Sequence, residues 1–256
     1  MVTLHTPDEV DKIRDSCRIV SEVQQLLADA IRPGISTIEL DCLAEEAIRK
    51  NGAHPALKGY NGFPASICAS VNSEAVHGFP NNDSLVAGDM LSIDVGVLLD
   101  QFYGDGAFTL GVGQISEANQ HLLNTTELAL GDGIRSAQPS GRLSDISHAI
   151  QLRVESNGMS VIREFGGHGI GRALHEDPHI PNYGSPGKGP KLQVGFVIAI
   201  EPIVSMGRPE IIVADDGWTT TTRDGATVAH FEHTVAITKN GPEILTLPKK
   251  ETTTVL

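Results

Sequence analysis

Cysteine is scarce in this chain: Cys17, Cys42 and Cys68 are an odd number with no paired spacing. That argues against a disulfide framework and for a reducing compartment, so a cytoplasmic protein is expected. Basic residues are few as well, 19 against 32 acidic ones, for a formal charge of -13. General binding to DNA or to an anionic membrane needs positive surface and is disfavoured. No apolar run approaches the roughly 20 residues of a membrane-spanning helix. The first ten residues also lack a basic region followed by an apolar stretch, so neither a span nor a secretory leader is expected. What is present is ordinary for a globular protein: 256 residues, 40% hydrophobic and 20% charged, enough for a sizeable core. Glycine, at 27 residues, is somewhat high and implies many turns or close backbone approaches. Composition shows no linker-like shift, so a single α+β domain over 1–256 is expected.

Thr6-Pro7-Asp8-Glu9 places a capping residue, a proline and a glutamate where a helix begins. Val10, Ile13, Cys17, Val20, Leu27 and Ile31 give it an apolar stripe, and Pro33-Gly34 ends it. Ser36-Thr37-Ile38-Glu39 opens a second helix running to Lys50, and Cys17 and Cys42 read as small core residues on these helices. The stretch 53–89, rich in Gly, Pro, Asn and Ser, reads as surface loop lining something, with a short strand at 66–71. A third helix is expected over 116–136 with an interruption at Gly131-Asp132-Gly133, a fourth over 143–156, then short strands with loops at 176–193 and 214–226. Helix, helix, strands is thus traversed twice. Gly88 and Gly195 each precede by six an acidic residue ending an apolar strand, Asp94 and Glu201. Two related halves, roughly 8–110 and 115–247, around one sheet are expected.

Residues 90–110 read as a hairpin. Leu91, Ile93, Val95 and Val97 alternate with Ser92, Asp94 and Gly96, so one set faces a core and Asp94 the other side. A turn at Leu99-Asp100 puts Asp94 directly opposite Asp105, with Cβ atoms about 4.5 to 5.5 Å apart. Taken alone, this leaves two readings: solvated strand residues, or a pair of carboxylates that a divalent metal reconciles.

Three further stretches supply ligand-type residues. His168 lies among glycines with His175 seven residues on, Glu201 stands at the end of Val-Ile-Ala-Ile, and Glu232 alternates with the core residues Phe231, Val235 and Ile237. Singly each is bland. Jointly, four carboxylates and one imidazole carry a charge of -4, which two divalent cations neutralise and one does not.

The ordered set Ile-Asp94-Val-Gly, Gly-Asp105, Gly-Gly-His168-Gly-Ile-Gly, Leu-His175-Glu, Ile-Glu201-Pro and Phe-Glu232-His-Thr resembles methionine aminopeptidase, most closely the short, type I bacterial form. The similarity runs from about residue 8 to 247. It implies the pita-bread (creatinase/aminopeptidase) fold, an α+β domain with pseudo-twofold symmetry and a curved antiparallel sheet flanked by helices. It also implies two divalent metal ions held by Asp94, Asp105, His168, Glu201 and Glu232, with Asp105 and Glu232 bridging. Glu201, His77 and His175 match the catalytic positions, and Tyr60, Phe63, Cys68, His77, Leu174, His175 and Trp218 match the substrate pocket. Leu57 and Leu174 depart from residues common there, keeping apolar character but altering shape. Mostly oxygen ligands favour Mn, Fe(II) or Co, with Zn as a further option.

The activity this implies is removal of the N-terminal methionine from polypeptides with a small second residue. Its partners would be nascent or newly made polypeptide N-termini, with ribosome association allowed for, no DNA and no membrane, and the chain a monomer. Two alternatives share parts of the pattern. A proline-specific peptidase of the same fold shares the five ligands but usually carries an extra N-terminal domain, for which Asp94 lies too near the start. A non-catalytic binding protein of this fold typically loses ligands, whereas this chain keeps all five.

Overall fold

The computed structural model describes residues 2–248. Helices α1 (Pro7–Ala30) and α2 (Thr37–Lys50) begin at Thr6 and Ser36, each with a complete capping box. Strands β1 (His54–Pro55), β2 (Cys68–Val71), β3 (Glu74–Val76), β4 (Met90–Leu99) and β5 (Phe102–Gly111) follow. Helices α3 (Glu117–Ser136) and α4 (Leu143–Ser156) open the second half. It continues through β6 (Ser160–Val161), β7 (Gly166–Gly169), β8 (Glu176–Pro181), β9 (Val197–Ile200) and β10 (Ile203–Ser205). The last strands are β11 (Ile211–Val213), β12 (Thr220–Thr222), β13 (Val228–His230), β14 (His233–Thr238) and β15 (Gly241–Ile244). Among the described residues no helix is long and apolar enough to cross a membrane.

Each half lays a helix pair on one face of a central antiparallel sheet. In the first, β2 and β1 pair along one edge of β4 and β5 takes the other. Leu91, Ile93, Val95 and Val97 of β4 pack with Val20, Leu27, Leu40 and Ile48 of α1 and α2, all fully buried. In the second, the order β15-β14-β9-β7-β8 sends Ile198, Ile200, Val235 and Ile237 against Leu122, Ile134, Ile146 and Ile150 of α3 and α4. Strand alternation then forces the odd-numbered residues of β9 and the even-numbered ones of β4 toward the side away from the helices. That side is where both halves meet. The repeat extends to detail: Gly88 and Gly195 both take left-handed φ (102° and 91°) before their strands. Gly88 donates its N–H to Val112 O just past β5, and Gly195 donates to Ile237 O of β14.

Several expectations are corrected. α3 is continuous through Gly131-Asp132-Gly133. Gly133 is there because α3 and α4 approach closely: a Cβ at that position would lie 2.9 Å from Ile150 Cγ1. Cys42 is exposed, since α2 buries Thr37, Leu40, Asp41, Ala44 and Ile48 and Cys42 falls out of that helical phase. The expected loops at 176–193 and 214–226 contain β8 and β12, stabilised by pairing with β7 and with β11 and β3. The stretch 53–89 is only partly surface and carries β1, β2 and β3. Leu57, Phe63, Ala65 and Ile67 are buried in it.

Candidate functional site

The β4–β5 hairpin supplies the first two acidic groups, in a register different from the expected one. Leu99 faces Phe102, so the turn is Asp100-Gln101, both with positive φ (47° and 70°). That is the two-residue turn whose twist matches a hairpin. Asp94 consequently faces Ala107, and Asp105 faces Gly96. The slip amounts to two residues, which preserves the face. Asp94 and Asp105 therefore meet diagonally, close enough for each carboxyl group to perturb the other's ionisation. Gly96 leaves the room: a Cβ there would sit 3.1 Å from Ala56 Cβ and 3.5 Å from Asp105 Oδ1. Cys68 of β2 faces Asp94 from the other edge.

β5 is also the seam to the second half, stitched by two threonine hydroxyls and one backbone bond. Thr109 Oγ1 donates to His230 O and accepts from His230 N–H, both at 2.8 Å. Glu232 N–H donates to Ala107 O at 2.8 Å. Thr234 Oγ1 donates to Asp105 O at 2.7 Å and accepts from Asp105 N–H at 3.1 Å. These contacts hold Glu232 over Asp105. β7 brings His168 opposite Ala199 of β9, and Glu201 follows the end of β9. Asn182 Nδ2 donates to the Glu201 carbonyl at 2.8 Å.

His168 Nδ1 lies 2.9 Å from Gly169 O, which only a protonated Nδ1 can satisfy. Its Nε2 is thereby left as a lone pair, 3.5 Å from Glu201 Oε1 and 4.0 Å from Asp105 Oδ2. An imidazole so oriented is what a metal ligand needs. Asp105, His168 and Glu232 each offer an atom within 4.8 Å of the others'. Among the described residues, Asp94 Oδ1 and Glu232 Oε1 are buried without a hydrogen-bond partner, and no Lys or Arg lines the cavity. Unpaired buried anions are costly, and a divalent cation among them fits the donor set.

Burial pushes Asp94 up to about 6, and burial with the nearby Asp94 charge pushes Glu201 up to about 8. Asp105 and Glu232 go well above the usual carboxylate range, through burial first and then the surrounding carboxylates. Burial, aided by His175, pulls His168 down to about 3, which keeps it neutral. The same two causes pull His77 down to about 4.

A cavity of about 320 Å³ opens onto this cluster. Tyr60, Phe63, Cys68, His77, His175 and Trp218 line it together with Asp94, Asp105, His168, Glu201 and Glu232. The Phe63 and Trp218 rings meet edge to face at 5.2 Å, and His77 stands edge-on between Trp218 (5.9 Å) and Phe165 (5.2 Å). His175 Nδ1 is 2.7 Å from the Tyr60 hydroxyl. The segment carrying Tyr60 and Phe63 is pinned to α2, where Asp41 Oδ1 accepts from Ser66 and Ile67 N–H at 2.8 and 3.0 Å. Asp216 fixes Trp218 similarly, its Oδ1 accepting from Trp218 and Thr219 N–H at 2.8 Å each.

Leu174 is not among the residues that line the cavity; it is buried in the same apolar cluster as the lining residues Leu57, Phe63 and Cys68. Leu57 does line it, and so do Val76, Phe165 and His230, which sequence reasoning assigned no role. His230 was legible in one respect, since period-two spacing puts it on the face of Glu232.

The sequence matches the profile described as metallopeptidase family M24 over residues 11–239. It is 53% identical to the methionine aminopeptidase of Clostridium perfringens, covering 97% of this chain and 100% of that one. It is 51% identical to methionine aminopeptidase 1 of Bacillus subtilis, over 96% and 99% respectively. The crystal structure of methionine aminopeptidase from Rickettsia prowazekii superposes with a TM-score of 0.95 at 40% identity, covering 96% of this chain and all of that one.

Proposed function

The chain belongs to metallopeptidase family M24, and on that premise we propose that it removes the N-terminal methionine of polypeptides whose second residue is small, using two divalent metal ions. The observation that carries the reading is the convergence of four carboxylates and one correctly oriented imidazole at the floor of an apolar cavity. Relatives matched over nearly their full length bear the name methionine aminopeptidase, which does not favour a proline-specific peptidase. Retention of all five ligand-type residues is at odds with a purely binding role.

Asp94, Asp105, His168, Glu201 and Glu232 would hold the ions, which when bound supply a Lewis acid for the scissile carbonyl and lower the pKa of water. Their charge of -4 matches two divalent cations. Four oxygen donors to one nitrogen favour Mn, Fe(II) or Co. Glu201 is the proton carrier: one carboxylate oxygen takes the proton from the attacking water and returns it to the leaving amine. Where the Tyr60 hydroxyl donates to His175 Nδ1, 2.7 Å away, the imidazole proton sits on Nε2, the tautomer that donates to a developing oxyanion. His77, wedged between Trp218 and Phe165, orients the scissile amide.

Phe63, Cys68 and Trp218 form a slot whose aromatic walls and sulfur suit a flexible thioether. At about 320 Å³ the cavity is at the low end of ligand sites, roughly 300 to 1,000 Å³, and leaves little room beyond methionine for a bulky second residue. Cys17, Cys42 and Cys68 are free thiols, as suits an enzyme meeting new N-termini in the cytoplasm.

A peptide panel with metal added tests this. Met-Ala and Met-Gly peptides should be cleaved, Met-Lys and Met-Leu peptides scarcely, and N-acetylated ones not at all. Faster cleavage of Ala-Pro or Leu-Pro peptides than of Met-Ala would overturn the reading, as would no hydrolysis of any peptide by the metal-loaded protein.

A further inference from the structure

His230 has no part in the chemistry above, yet it lines the cavity and is only 4% exposed. Its Nε2 is buried without a hydrogen-bond partner among the described residues. An unpaired buried polar atom of this kind is costly and calls for an explanation. The backbone here is held in place independently, because both its N–H and its carbonyl pair with Thr109 Oγ1. The ring is thus presented to the site by the seam between the halves.

The group facing it is Glu201, whose Oε2 lies 3.9 Å from His230 Nε2. The other oxygen of the same carboxylate, Oε1, lies 3.5 Å from His168 Nε2. Glu201 stands between two imidazoles of opposite character. His168 Nε2 is a lone pair, because its Nδ1 is committed to Gly169 O, so it and Oε1 are two acceptors that a cation can share. His230 Nε2 has no other partner and can carry a proton.

We propose that His230 is a positioning residue for Glu201, its Nε2–H donating to Oε2 in the metal-loaded enzyme so that Oε1 is the oxygen left to the metal side. This rests on the proposed role of Glu201 as ligand and proton carrier. A small rotation of the carboxyl group closes the 3.9 Å gap. Polar contacts at such sites are often long in the free state and tighten on loading. Hydrogen-bond partners of ligand carboxylates typically account for 10- to 100-fold in metal affinity or activity.

His230→Leu and His230→Gln, each prepared metal-free and loaded with Co(II) or Mn(II), test the proposal. His230→Leu should lower kcat roughly 10- to 100-fold with KM within about twofold, and weaken Mn(II) affinity by calorimetry roughly tenfold. Its metal-free form should melt higher than the metal-free parent, because the orphan atom is gone. His230→Gln carries an amide N–H in place of Nε2–H and should recover most of both losses. The visible spectrum of the Co(II) enzyme should be the same in parent and variants, since the inner ligands are unchanged. A His230→Leu variant with kcat and Mn(II) affinity within twofold of the parent would overturn the proposal. So would a Co(II) spectrum showing a lost nitrogen ligand, or a lower melting point of the metal-free variant, which would mark a merely structural residue. Full activity of the parent after verified metal removal would instead sink the metal reading of Glu201, an outcome independent of the variants.

Discussion

Replacing Thr234 with valine exchanges one hydroxyl for a methyl group of nearly the same shape at a fully buried position. No cavity is made. What is lost is the partner of two buried backbone groups, Asp105 N–H at 3.1 Å and Asp105 C=O at 2.7 Å. Each unpaired group costs about 1 to 3 kcal/mol, so the change should destabilise the protein by about 2 to 6 kcal/mol. At about 2 to 4 °C per kcal/mol for a chain of this size, a loss of about 4 kcal/mol lowers Tm by about 8 to 16 °C. Thermal unfolding of the metal-free variant reads this directly. Thr238→Val is the control: its half-buried hydroxyl donates to Gly241 O and accepts from the exposed Asn240 N–H, which water can serve instead, and about 0.5 to 1.5 kcal/mol is expected. Because Asp105 is a proposed ligand, Thr234→Val should also weaken metal binding, whereas Thr238→Val should not. A drop in Tm of under about 2 °C, no larger than the control's, would show that the hydroxyl does not hold the two halves together.

Glu201→Ala, with metal restored, should lose more than about nine-tenths of kcat, at least about 1.4 kcal/mol of barrier; retention above that level would show the group is not essential. Chelation should abolish activity, and Mn, Fe(II) or Co should restore it with a rise in Tm, since binding to the native state adds to its stability. The metal-free protein should lose stability as pH rises from about 7 through about 8. Glu201, raised to about 8, together with Asp105 and Glu232, both raised well above the usual carboxylate range, keeps protons that the unfolded chain has released. Below about 6.5 the buried His77, His168, His230 and His233, all depressed to about 3 or 4, work in the opposite direction, so the slope should flatten there. A metal-free Tm that rises between pH 7 and 8.5 would contradict the electrostatics described. On α3, Gly131→Ala meets only the flexible end of Arg135 at 3.2 Å and should stabilise by about 0.5 to 1 kcal/mol, whereas Gly133→Ala drives a methyl into Ile150 and should destabilise; urea unfolding separates the two signs.

Local rules made much of this legible. Both capping boxes and the alternation in β4 are properties of neighbouring residues, and they placed α1, α2 and the face of Asp94 correctly. The turn was misplaced because Asp100-Gln101 lacks the glycine that usually marks positive φ, yet an even slip leaves side chains on their faces, so the pairing of Asp94 with Asp105 survived as a diagonal. What failed was set by distant partners. Glycines in α3 look like a break until α4 is seen pressed against Gly133, and Cys42 looks apolar until the buried phase of α2 is fixed by its neighbours. Leu174, assigned by likeness to a pocket position, is buried in the same apolar cluster as Phe63 and Cys68, while His230 required knowing where Thr109 would hold it.

The seam on β5 has a bearing on how the molecule is made. Thr234 and Asp105 are 129 positions apart, and His230 and Thr109 are 121 apart. Closing loops of that length sacrifices chain entropy before any contact rewards it, so the seam should form late on the folding route. Thr234→Val should then act almost wholly on the unfolding rate, with refolding little changed. During synthesis the first hairpin emerges bearing Asp94 and Asp105 with no His168, Glu201 or Glu232 to complete the set. The proposed metal centre is thereby confined to chains whose second half has been made and docked, and a chain arrested before residue 168 carries two mutually repelling carboxylates and no cage.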